Sequence, residues 1–127
     1  MGSFLSSPAP SSEGQHQSDA ILFIHSVADW KSHFDSVKAS NKLLVVDFSA
    51  SWCGPCRFIE PAVHEFAQKY TNVSFVKIDV DELQSVASEL GIQAMPTFLL
   101  FKGGNQVDKV VGAKKDELEK KILSHMG

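Results

Sequence analysis

The run Leu43-Leu44-Val45-Val46-Asp47-Phe48 constrains this chain more than any other stretch. A strand with one wet face alternates apolar and polar residues, whereas here apolar residues occupy both phases, so the strand must be covered on both sides. Helices are the usual cover, and the flanking sequence supplies them. Val27, Trp30, Phe34 and Val37 fall on one face of a helix before the run; Ile59, Val63, Phe66, Ala67 and Tyr70 do so after it. Between the run and the second helix lies Trp52-Cys53-Gly54-Pro55-Cys56, which holds both cysteines of the chain. Two thiols with two residues between them close a small ring with little slack for strain-free geometry. A reactive pair is therefore expected there in preference to a structural staple.

The remaining elements follow from periodicity and turn chemistry. Ile21-Leu22-Phe23-Ile24 reads as a short strand, and Ser26 with Asp29 three residues on gives a capping-box-like helix start. Residues 73–79 read as a strand, and Leu83, Val86, Ala87 and Leu90 mark a helix stopped by Gly91. Two strand-like runs, Thr97 to Phe101 and Gln106 to Val111, flank Gly103-Gly104-Asn105 as an antiparallel hairpin, and Leu118, Ile122 and Met126 line a closing helix. Strands joined through helices pair in parallel and the hairpin is antiparallel, which gives an α/β fold: a central mixed sheet flanked by helices on both faces. A chain of 127 residues suits one such domain, placed at 20–127. Residues 1–19, rich in Ser, Pro, Gly and Gln, are expected to form a disordered N-terminal extension.

Only a thiolate attacks a disulfide, and a helix start offers unpaired N–H groups and the positive end of the helix dipole. Cys53, at that start, is assigned as nucleophile. Cys56, one turn further in and expected to be the less exposed, is assigned as the resolving thiol. Asp47 is the candidate proton acceptor and donor, because a lone carboxyl on a buried strand is costly unless neutralised, and burial raises its affinity for protons. Cys53 and Cys56 also have half of a zinc spacing, but no second cysteine pair and no closely spaced histidine pair completes it, so no metal is expected. A net charge of −3 with interspersed signs leaves no basic stripe for nucleic acid. With no long apolar run and no secretion signal, the chain is expected in the cytosol, where thiols stay reduced.

The motif WCGPC, preceded by Val45-Val46-Asp47-Phe48-Ser49-Ala50-Ser51 and followed some forty residues later by Met95-Pro96-Thr97-Phe98, resembles the thioredoxin family. The wording around Asp47 is similar to the plant cytosolic h type. The resemblance implies the thioredoxin fold and a protein-disulfide reductase that cycles a redox-active Cys53–Cys56 disulfide without a bound cofactor. It also implies disulfide-containing target proteins and an NADPH-dependent thioredoxin reductase as partners, with a monomer expected. Gly54-Pro55 accompanies reducing members, so an oxidase or isomerase of the same fold is the alternative; an inert relative is disfavoured by intact Cys53, Cys56, Asp47 and Pro96. Lys77 matches a family lysine that tunes the aspartate. Met95-Pro96 matches a cis-proline loop, and Trp52, Gly54, Pro55, Met95, Pro96 and Gly112 would form an apolar surface that binds target proteins.

The chain opens Met1-Gly2-Ser3-Phe4-Leu5-Ser6, which fits the pattern for attaching myristate to Gly2. One myristoyl chain gives only reversible membrane binding without a second acyl group or a basic patch. The first lysine or arginine is Lys31, so a minor, reversible endomembrane pool is the most that acylation would give.

Overall fold

In the computed structural model, which describes residues 20–127, the elements are β1 (Ile21–Ile24), α1 (Val27–Ser40), β2 (Leu44–Ser49), α2 (Gly54–Lys69), β3 (Ser74–Asp79), α3 (Gln84–Glu89), β4 (Thr97–Lys102), β5 (Asn105–Val111) and α4 (Lys115–His125). The sheet order is β1-β3-β2-β4-β5. β3 pairs in parallel with β1 and β2, and β4 pairs antiparallel with β2 and β5, so the sheet is mixed as expected. Every residue of β2 is buried.

Alternation along β2 divides the core in two. Val46 and Phe48 join Trp30, Val37, Val76, Ile78, Val86 and Leu99 on one face. Val45 joins Ile59, Val63, Phe66, Phe75, Phe98, Leu118 and Ile122 on the other. Asp47 shares the phase of Val45, so it points to the α2 side of the sheet. Val27, expected on the buried stripe of α1, is instead largely exposed. It occupies the first position of the helix, where the chain has only just turned away from β1.

Local chemistry fixes the element ends. The Ser26 hydroxyl accepts the Asp29 amide at 3.1 Å and caps α1. At the end of α3 the Ile92 and Gly91 amides donate to Ala87 and Ser88 carbonyls, with Gly91 left-handed at φ +71, which is the double hydrogen bond of a Schellman stop. Gly103 and Gly104, both at positive φ, form the two-residue turn between β4 and β5. Lys69 and the Tyr70 hydroxyl both donate to Glu119, tying the far end of α2 to α4.

The Ser26 cap lies far along the sequence from the cysteines and bears on stability alone. Ser26→Ala should lower the unfolding free energy by about 1 kcal/mol, seen as a lower urea midpoint. A midpoint equal to that of the parent would show that α1 is held by packing without its cap.

Candidate active site

The two cysteines sit where β2 hands over to α2, and they are joined as a disulfide with Cα atoms 5.3 Å apart. Cys53 is the N-cap residue of α2: its backbone is extended, and its Sγ accepts the Cys56 amide at 3.2 Å. A sulfur in that position takes the place of the oxygen of a capping serine or aspartate, and negative charge on it is favoured by the amide and by the helix dipole. Pro55 stands in the first turn of α2, where its missing N–H costs nothing.

Exposure does not separate the two sulfurs as expected from the sequence. Cys53 is 4% and Cys56 7% exposed. Cys53 is covered by the loop before β4, where the Met95 carbonyl oxygen lies 3.6 Å from its Sγ. Cys56 instead reaches a cleft of about 330 Å³ on the side of the sheet edge formed by β1 and β3, shared with Phe23, Ser49, Arg57, Glu60 and Lys77.

The Met95–Pro96 bond is cis. Pro96 is buried and its carbonyl accepts the Gly112 amide at 2.8 Å, which brings the loop after β5 against the proline. Gly112 has φ +104, open to glycine and strained for other residues. Gly54 and Pro55 are exposed, Met95 and Gly112 half-buried. Trp52 is 64% exposed, its indole N–H donating to Asp81 at 2.8 Å. Of the six residues expected to bind target proteins, Trp52, Gly54, Pro55, Met95 and Gly112 are thus at least partly exposed, and Pro96 is buried.

Asp47 is 5% exposed, and its Oδ1 has no hydrogen-bond partner. Burial pushes its carboxyl up to about 7; the Lys77 ammonium pulls it down and the Glu60 carboxylate adds to the rise. Lys77 is the register partner of Asp47 across the β2–β3 pair. Its ion pair, however, is with Glu60 of α2.

Several of these residues escaped the sequence reading. Glu60 is four residues past Cys56, a spacing that places both on one side of α2, and it sits beside Ile59 in an otherwise apolar stretch. Asp81 and the 79% exposed Phe58 carry no pattern that separates them from ordinary surface residues. Among the described residues, no cluster of three or more His, Cys, Asp or Glu side chains is placed to hold a metal ion, and no helix is long and apolar enough to cross a membrane.

The profile of the family described as Thioredoxin matches residues 24–124. Thioredoxin H2 of Arabidopsis thaliana is 61% identical over 102 residues, covering 80% of this chain and 77% of that protein. Thioredoxin H2-2 of Oryza sativa subsp. japonica is 51% identical, covering 96% and 93%. Among solved structures, thioredoxin NaTrxh from Nicotiana alata superposes with a TM-score of 0.87 at 56% identity, over 91% of this chain and all of that one. The poplar thioredoxin h PtTrxh4 gives 0.79 at 39% identity, over 83% and 95%.

The state of Asp47 makes stability depend on pH. Its carboxyl titrates near 7 when folded and near about 4 when unfolded. Between these values the folded chain holds a proton that the unfolded chain has released, so this residue lowers stability as pH rises from about 4 to about 7 and by a constant amount above. Asp47→Asn should therefore unfold at higher urea than the parent at pH 8, by up to about 4 kcal/mol, with the advantage gone at pH 4. A variant less stable than the parent at pH 8 would mean that the carboxylate makes a supporting interaction.

Proposed function

The chain belongs to the thioredoxin family, so it is a disulfide oxidoreductase that works by dithiol–disulfide exchange at Cys53–Cys56, and on that premise we propose how its residues divide the reduction of target proteins. The Cys53 thiolate attacks one sulfur of a target disulfide. The target S–S bond breaks, its other sulfur leaves as a thiolate that takes up a proton, and a Cys53–target mixed disulfide forms. Cys56 then gives its proton to Asp47 and attacks Cys53. The mixed disulfide breaks, the second target sulfur leaves as a thiolate that takes up a proton, and the Cys53–Cys56 disulfide closes: the target has gained two electrons and two protons, while the dithiol has lost two electrons, the proton Cys53 released on ionising and the proton Cys56 gave to Asp47.

The observation that carries this assignment is the capping geometry, in which Cys53 Sγ accepts the Cys56 amide at the helix start. Asp47 as acceptor is supported by its burial, its unpartnered oxygen and its elevated proton affinity. Lys77 tunes it by lowering that affinity. Trp52, Gly54, Pro55, Met95 and Gly112, with Pro96 beneath, receive an extended target segment, the Met95 backbone adding a short strand-like pairing with little demand on target sequence.

Family membership makes disulfide-containing proteins and a thioredoxin reductase the general partners; we take the reductase to be NADPH-dependent and the chain to act as a monomer. The domain is assigned to 20–127, with 1–19 as an extension. Gly2 and the rest of that extension lie outside the described residues. The chain works in the cytosol, with a minor membrane pool where Gly2 carries myristate.

In insulin reduction, Cys53→Ser should lose all activity. Cys56→Ser should attack once and remain bound to its target as a mixed disulfide that dithiothreitol releases; trapping by Cys53→Ser in its place would exchange the two roles. Protein made in eukaryotic cells should show a myristoyl mass on Gly2 and a membrane fraction that Gly2→Ala removes, while a free N-terminus in that protein would refute the acylation.

A further inference from the structure

Glu60 lies four residues past Cys56, one turn deeper on the same side of α2. Its carboxylate pairs with the Lys77 ammonium, and both side chains line the cleft that Cys56 reaches. Lys77 arises from the position in β3 that faces Asp47 in register, and its ammonium lies 5.3 Å from the centre of the Phe23 ring. One ammonium thus acts on two carboxyl groups and forms its ion pair with the one that water already solvates. Glu60 is partly exposed, whereas Asp47 is enclosed and has an oxygen with no partner. An ionised Asp47 would gain more from the cation than Glu60 does, because its charge has no water to lean on.

We propose that Glu60 is a positioning residue: it keeps the Lys77 ammonium for itself, away from Asp47, and through that hold sets how readily the buried carboxyl takes and releases a proton. The inference rests on the reading of Asp47 as proton acceptor for Cys56. The charges acting on Asp47 are those of Lys77 from β3 and Glu60 from α2, two residues that line the cleft together with Cys56. The other elements packed there bring apolar groups: Phe23 and Phe98 from β1 and β4 in the same cross-strand row, Leu118 and Ile122 from α4. The remaining charged residues of the cleft are engaged elsewhere. His25 pairs with Glu82, Arg57 donates to the Ser51 carbonyl, and Asp79 accepts the Asp81 amide. Removing the Glu60 charge would therefore release Lys77 to the one carboxyl left beside it.

A carbon-13 NMR titration of the Asp47 carboxyl in the oxidised protein, on the parent, Glu60→Gln, Lys77→Met and the double variant, tests this. Glu60→Gln should lower the Asp47 midpoint by roughly one pH unit, and Lys77→Met should raise it. Introduced on top of Lys77→Met, Glu60→Gln should move the midpoint by roughly half as much or less, since its effect acts through the lysine. An unmoved midpoint in Glu60→Gln, or the same shift in both backgrounds, overturns the proposal. The pH profile of insulin reduction then judges the Asp47 reading separately. A profile that follows the midpoint supports both, whereas a midpoint that moves under an unmoved profile keeps the hold of Glu60 on Lys77 and removes Asp47 as the acceptor.

Discussion

A strand buried on both faces and paired along both edges has no place for a charge, yet β2 carries Asp47 in the middle of its inner run. The surrounding sheet and helices bury the carboxyl too deeply for water to solvate it and leave one oxygen unpaired. Such a group stays folded by holding a proton, and a group that holds a proton near neutral pH is also one that can exchange it. The destabilising feature and the chemically useful one are the same atom set, which is why the fold around it has to be rigid: two core clusters, one on each side, fix β2 in place.

The junction between β2 and α2 gives the two sulfurs different surroundings despite their similar exposure. Cys53 is at the helix cap beneath the Met95 loop, beside the surface proposed to receive a target. Cys56 is a turn later and opens onto the cleft shared with Lys77 and Glu60. In the proposed division of roles, attack and resolution would therefore draw on separate surroundings, a cap on one side and a titratable cleft on the other, while the connecting Gly54-Pro55 keeps the two atoms within bonding distance.

Most of the architecture could be read from the residues, because the burial of β2, the helical stripes and the Gly103-Gly104 turn each leave a periodic or compositional trace. The cap role of Cys53 was readable for the same reason: apolar strand, then helix stripe, with the cysteine between. The pairing of Lys77 was not. A lysine in a strand looks solvated, and its partner Glu60 lies on a helix whose approach to β3 no local pattern reveals. The relative burial of the cysteines leaves no local trace either, because the loop that covers Cys53 comes from forty residues downstream. Val27 shows the limit of stripe-reading at a helix end, where the first turn has not yet reached the core.

The helix that carries the dithiol is secured at both ends. Arg57 donates to the Ser51 carbonyl near its start, Lys69 and Tyr70 are bound to Glu119 at its finish, and Ile59, Val63 and Phe66 are locked in the core between. Opening or closing the Cys53–Cys56 bond then has little leverage on the backbone, since a sulfur can swing about its own side-chain torsion while the helix stays put. A helix held in this way would give the face around the dithiol nearly one shape in both redox states. A partner that tells the oxidised chain from the reduced one would then have to touch the sulfurs, and release after reaction would follow the covalent exchange and not a change of outline.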